Sequence, residues 1–231
     1  MTHLTNGLIF QLAKEDQNRL QDICEPVALT AGQVLGPSGP SDNAKVYFLT
    51  GACVALLVEN QQHHTLAVGL VGTEGVVGLG SVLDSGPENW LCRVQTSGSA
   101  WAVDSHDLTL LLHQRPGMLW VISQYLWQLA GDVADMSASV QFDDITTRLA
   151  RWLALSAERA GSSHLQLTHE HLAHMLGVRR VSITLAAVAL KDQGLIRYQR
   201  GTLDILDLPG LRQWPQAHNT RPQENSMPFK K

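Results

Sequence analysis

The hydrophobic positions of this chain change their period from one region to the next. From about residue 8 to 25, Leu8, Leu12, Leu20 and Ile23 recur at helical spacing and predict one amphipathic helix. Beyond Pro26 that period stops. Strand-sized apolar runs follow: "VALTAGQVLG", "AKVYFLT", "GACVALLVEN", "HTLAVGLVG", "GVVGLGSVL", "WLCRVQTSG" and "SAWAVD". The breaks "GPSGPSDN", "ENQQHH", "GTEG" and "DSGPEN" are rich in Gly, Pro, Asn and Ser, so the runs read as short strands of a small barrel or sandwich. Ser105 or Asp107 then stands as the N-cap of a helix over "LTLLLHQ".

The most regular stretch follows Pro116-Gly117. Leu119, Ile122, Leu126, Leu129, Val133, Met136 and Val140 are separated by 3, 4, 3, 4, 3 and 4 positions. This is an a/d heptad seam, the pattern that two helices need to pack side by side. Trp120, Tyr125 and Trp127 widen the apolar surface, so part of the helix is expected to face the strands. Two arrangements meet the pattern: a helix lying on its own domain's core, or a stem paired with a second copy. The strictness of the seam and the flanking Asp132 and Asp135 favour the homodimer.

Asp143 or Asp144 can cap the next helix, "ITTRLARWLALSAERAG", which buries Leu149, Trp152, Leu153 and Ala157 and ends at Gly161. "LQLT" reads as a short strand. Thr168 is a good N-cap for "HEHLAHML", and Ala173 is small where a second helix would cross. Gly177 suits a helix exit with positive φ. Val178 and Ile183 plug the space between the two helices, Ala187 and Leu190 continue the buried side, and Gly194 ends the second helix. "LIRYQRGTLDILD" alternates about Arg200-Gly201 as a β-hairpin. Two helices, a tight turn and a hairpin define a winged helix-turn-helix, whose second helix enters the major groove of double-stranded DNA.

Composition bears on this through charge. The formal net charge is −4, the wrong sign for gripping phosphates, yet residues 1–140 hold 5 basic and 13 acidic side chains while residues 141–231 hold 12 and 8. Only the back half is suited to a polyanion. Cys24, Cys53 and Cys92 are widely spaced and form no CxxC pair, which argues against a disulfide framework, an iron–sulfur cluster or a structural zinc. They read as small apolar fillers. No signal peptide and no apolar run of membrane-spanning length is seen, so a soluble cytoplasmic protein without a membrane partner is expected.

The stretch 141–211, notably "RLARWLALSAERAG" and "LTHEHLAHMLGVRRVSITLAAVALKDQGLIRYQRG", resembles the C-terminal domain of the Crp-Fnr family of bacterial transcription regulators. "VYFLTGACVALLV" is similar to that family's strand–Gly–strand core, and "GTEGVVGLGSVLDSG" to its segment over the effector pocket. The resemblance implies an α+β chain: a β-roll sensor domain with an N-terminal helix over 1–115, of the cyclic-nucleotide-binding-like jelly-roll kind. It also implies a dimerisation helix over 116–141, a winged helix-turn-helix over 142–214, and a mobile tail over 215–231. DNA, a second copy of the chain and RNA polymerase are the partners it implies.

Departures from the family narrow those implications. Members that bind cyclic nucleotides carry a Gly-Glu pair in the pocket segment and an Arg-Ser or Arg-Thr pair after the next turn. Here those positions read Gly78-Leu79 and Asn89-Trp90. Leucine accepts no hydrogen bond from a ribose and asparagine offers a phosphate no charge, so cyclic AMP is not expected as effector. Either the pocket is filled by Leu79 and Trp90, or it takes another small molecule, or it has no ligand. Cys24 alone cannot replace the N-terminal cysteine cluster of the oxygen-sensing branch.

On the groove-facing side of the second helix the family's best-known members place Arg, Glu and Arg, and this chain has Arg180, Val181 and Leu185. Arg180 suits bidentate contact with guanine, while Val181 and Leu185 suit thymine methyl groups. Thr168, Arg179, Ser182 and Thr184 read as phosphate or mixed contacts, and Arg200 as a wing contact to the backbone.

Enzymatic activity is not expected. "HEHLAH" is not HExxH, and its histidines read as surface groups near phosphates. His63 and His64 raise a metal-dependent cupin, but neighbours on a strand point to opposite faces and cannot share one internal metal. No metal or cofactor is expected. A rival reading keeps the fold as a sensor or scaffold without specific DNA binding, on the strength of the apolar Val181 and Leu185.

Overall fold

The computed structural model describes residues 5–36, 44–62, 65–83, 90–199 and 201–218, with backbone alone for 215–218. The helix expected over 8–25 is two helices, α1 (Gly7–Phe10) and α2 (Lys14–Ile23). Asn6 starts α1: its Oδ1 accepts from the Leu8 and Ile9 amides at 3.0 and 3.1 Å, and its Nδ2 donates to the Leu49 and Gly75 carbonyls. Leu8, Ile9 and Leu12 enter one core cluster with Leu20 of α2.

The strand-sized runs build two four-stranded antiparallel sheets. One has the order β1-β8-β3-β6, from Glu25–Leu29, Gly98–Asp104, Lys45–Leu49 and Val76–Val77. The other has the order β2-β7-β4-β5, from Val34–Leu35, Trp90–Thr96, Cys53–Glu59 and Thr65–Val71. The run "GVVGLGSVL" supplies only the short β6, because Gly78 adopts φ +92° and turns the chain into a 3₁₀ segment, Leu79–Ser81. Helix α3 (Ser105–Gln114) is capped by Asp104, whose carboxylate accepts from the His106 amide at 2.9 Å, and not by Ser105 or Asp107.

Strand β4 reads as an unbroken apolar run because both of its faces are covered. Val54 and Leu56 point into the roll with Val68 and Val94. Cys53, Ala55 and Leu57 point outward with Ala67 and Leu70, into the cluster that contains Trp152, Leu172, Ile183 and Leu190 of the back half. One apolar core thus continues from the outer face of the sheet into the winged helix-turn-helix.

Helix α4 (Gly117–Phe142) is 26 residues long, about 39 Å at 1.5 Å per residue. Within the single chain its heptad seam is partly covered. Ile122 is buried in the cluster of the N-terminal helices with Leu126 and Leu129 packed against it, Val133 packs against the roll interior, and Met136 packs against the back-half core. Leu119 and Val140, at the two ends, remain exposed. The free face lies elsewhere on the helix: Trp120 and Trp127 are 70% and 82% exposed, and Ala130, Gly131, Ala134 and Ala138 continue the same side in the open.

Candidate nucleic-acid interface

The back half opens with α5 (Ile145–Ala160), N-capped by Asp144 through the Thr147 amide at 2.7 Å and closed by Gly161 at φ +61°. Strand β9 (His164–Leu165) joins the sheet of β10 (Ile196–Gln199) and β11 (Thr202–Ile205), in the order β10-β11-β9. Of the expected strand "LQLT" only Leu165 is in β9. Between them α6 (His169–Leu176) and α7 (Arg180–Asp192) meet at 109°, within the range of a helix-turn-helix.

Each corner of that motif has a local cause. The Thr168 hydroxyl accepts from the His171 amide at 3.0 Å and starts α6. Gly177 takes φ +63°, so the chain leaves α6 without strain. Leu172, Leu176, Ile183, Ala187 and Leu190 are buried together, with Val178 packed against them. Helix α8 (Leu208–His218) then packs on α5 through Leu211, so the first part of the expected tail, 215–218, is helical.

The face of α7 left open carries the residues singled out above. Val181 and Leu185 are 69% and 67% exposed, and Val188 extends the apolar stripe by one more turn. Arg180 is exposed and held only loosely, with Nε 3.9 Å from Glu170 Oε2. Arg179 occupies the N-cap position with no side-chain cap bond, and Ser182 is half-buried. Thr168 and Thr184 are exposed on the same side. Arg200 lies outside the described residues, as do His63, His64 and Asn89. Gly201, in the turn of the wing, has φ +87°, and a Cβ there would sit 3.6 Å from Thr168 Cγ2, so wing turn and α6 N-terminus adjoin.

Two of the histidines in "HEHLAH", His169 and His171, are half-buried. His171 is largely enclosed; burial first, then Arg93 on β7 and His174, hold its pKa below the ordinary value. His169 is lowered by burial and then by Arg180. Among the described residues no group of three or more His, Cys, Asp or Glu side chains could hold a metal ion.

Of the effector-pocket positions, Leu79 is buried with Leu8, Ile9, Val46 and Phe48, and Trp90 packs against the cluster of Leu35, Val54 and Cys92. The residue that does meet the pocket segment is Tyr125 of α4. Its hydroxyl donates to the Val76 carbonyl at 3.0 Å and accepts from the Val76 amide at 3.2 Å. A Cβ on Gly75 would stand 2.5 Å from that oxygen, so the glycine makes the approach possible. In the sequence, the Gly75 that admits Tyr125 was the one available sign.

Two helices crossing at a tight turn, with a β-wing beside them, form a winged helix-turn-helix joined to a β-roll by a long helix. Residues 147–214 match the Crp-like helix-turn-helix domain. The fold is also that of solved regulators of low identity. The c-di-GMP responsive global regulator CLP of Xanthomonas campestris superposes with a TM-score of 0.68 at 17% identity, covering 84% of this chain and 100% of that one. A Crp/Fnr-family regulator from Eubacterium rectale gives 0.68 at 14%, over 90% and 97%. One from Thermus thermophilus gives 0.66 at 22%, over 83% and 98%. No curated protein matches at the sequence level. The chain has the fold of Crp/Fnr-family transcription regulators and carries their helix-turn-helix DNA-binding domain. Among the described residues no single helix is long and apolar enough to cross a membrane.

Proposed function

We propose that the protein is a homodimeric regulator of transcription that reads a near-palindromic operator through α7. The observation that carries this reading is the open face of α7, where Arg180, Val181 and Leu185 stand free while the opposite side is locked into the core. Arg180 suits guanine O6 and N7, and the two apolar residues suit thymine methyl groups. Thr168, Arg179, Ser182 and Thr184 suit the phosphates on either side. The second copy is proposed to pack along the Trp120–Trp127 face of α4, which none of the described residues covers. Two heads would then enter successive major grooves about one helical turn apart.

Leu79 in place of a carboxylate argues against cyclic AMP, and the buried Tyr125–Val76 pairing supports a filled pocket segment; any effector would be of another kind. The apolar Val181 and Leu185 favour one rival, a scaffold that retains the fold and holds DNA without reading it. Gel-shift titrations over a salt series, with a duplex selected from a random pool against an unselected one, separate the two. The expected result is a preference of at least about a thousandfold. Equal affinity at every salt concentration favours the rival.

A further inference from the structure

His169, the first residue of α6, lies where three parts of the reading head meet. Its ring stacks on Tyr198 of β10, with centroids 4.2 Å apart and planes at 28°. Its Nδ1 lies 3.1 Å from Thr184 Oγ1 on α7. Next to it in sequence, Thr168 adjoins the wing turn at Gly201. One imidazole therefore touches the recognition helix on one side and the wing on the other.

The hydrogen bonding fixes the state of the ring. Thr184 has a single hydroxyl hydrogen, which it donates to the Arg180 carbonyl at 3.1 Å. With that hydrogen on the carbonyl the hydroxyl accepts from His169, which puts the ring proton on Nδ1. Nε2 is then left with its lone pair, buried and with no partner among the described residues. Burial and the adjacent Arg180 hold the ring neutral, which suits this arrangement. The chain of donors runs from His169 through Thr184 to the backbone of Arg180.

The geometry points to His169 as a positioning residue for DNA reading: through Thr184 it holds the first turn of α7, and through Tyr198 it holds the wing, so that Arg180 meets its base in one fixed pose. This rests on the reading of α7 as the recognition helix. Arg180 itself is long, exposed and weakly paired, so its pose must come from the backbone beneath it. A flexible four-bond side chain on a mobile first turn would give affinity without discrimination.

The test uses the full-length protein, the selected duplex, and copies of that duplex altered at one base pair at a time. His169→Phe keeps a ring to stack on Tyr198 and removes the donor; Thr184→Val removes the acceptor at similar volume; His169→Gln restores a donor. The expected result for His169→Phe and Thr184→Val is a two- to tenfold loss of discrimination, the worth of about one hydrogen bond, confined to the base pair sensitive to Arg180→Ala. His169→Gln should recover part of it. In an Arg180→Ala background His169→Phe should add nothing. A nitrogen-15 spectrum of the free protein should show His169 protonated at Nδ1 and bare at Nε2.

Undiminished discrimination in both single variants overturns the positioning role, as does an equal loss at every base pair or a ring protonated at Nε2. Failure of the wild-type protein to prefer the selected duplex at all is a different outcome: it removes the recognition reading on which the role depends.

Discussion

Gly72 lies so close to Arg159 that a Cβ on the glycine would stand 2.2 Å from the Arg159 carbonyl oxygen. The end of α5 is thereby seated directly on the turn after β5. The Arg159 guanidinium completes the seat, with Nη1 3.0 Å from Glu74 on the roll and Nη2 2.8 Å from Asp132 on α4. Gln95 of β7 adds a buried hydrogen bond from Nε2 to Ser156 Oγ at 3.0 Å. Roll, stem and winged helix-turn-helix are joined at one place. Gly72→Ala is expected to push α5 away and cost about 1–3 kcal/mol of stability. Thermal melts check the cost, and hydrogen exchange should rise first in α5; unchanged exchange there would show that the seat tolerates a methyl group.

Arg180→Ala should lower binding to the selected duplex by about 1–3 kcal/mol and relax preference at one position. Fluorescence anisotropy against single-base variants measures both. A loss that is uniform across sequences would instead mark Arg180 as a phosphate contact.

Leu185 and Val181 lead to a test on the DNA itself. Replacing a contacted thymidine by deoxyuridine removes one methyl group and should cost about 0.5–1 kcal/mol in the wild type. In Leu185→Ala or Val181→Ala that difference should disappear at the corresponding position. Competition titrations with the two duplexes give the comparison.

Trp127 and Leu126 are neighbours in sequence and should behave oppositely. Trp127→Glu is expected to leave the fold intact and yield monomers by sedimentation or light scattering. Leu126→Glu places a charge against the chain's own core and should cost about 1–3 kcal/mol of stability. A retained dimer in Trp127→Glu would move the interface off this face.

His171 gives stability a dependence on pH whose sign is fixed. Its pKa in the folded chain is lowered by burial, by Arg93 and by His174, so the unfolded chain binds the proton more readily. The stability it allows is complete above the unfolded value, about 6.5, and is lost as pH falls below that toward the lowered value. His171→Gln should therefore flatten the melting-temperature profile between about pH 7 and 5 relative to the wild type.

Much of the reading head is legible in the sequence because its determinants are local. Thr168 before α6, Gly177 after it, and apolar residues at 172, 176, 183, 187 and 190 each act within a turn or two of themselves. The stem is less legible for the opposite reason. A heptad seam states that one stripe of a helix is covered, but not by what. Leu126, Leu129 and Val133 meet strands far away in sequence, and the heptad cannot distinguish those from a second copy. Trp120 and Trp127, which read as widening the seam, turn out to mark the uncovered side. The surroundings of the pocket segment are non-local in the same way: Leu79 and Trp90 pack in different core clusters, and Tyr125 reaches the segment from another element. Ser105 and Asp107 are acceptable caps by type, but the cap of α3 is Asp104, the last residue of β8.

The two reactive-looking thiols follow from the same packing. Burial pushes Cys24 and Cys53 up to about 12, so neither forms thiolate near neutral pH. Alkylation of the native protein at pH 8 is expected to be slow and to accelerate sharply on unfolding.

The outward side of β4 has a practical outcome for protein engineering. Cys53, Ala55, Leu57, Ala67 and Leu70 are oily on a surface that the back half, with Met136 of α4, keeps dry. A chimera that grafts a foreign reading head onto this roll would strip that cover and leave a sticky sheet, so a successful transplant must carry α5 and its matching strand face together.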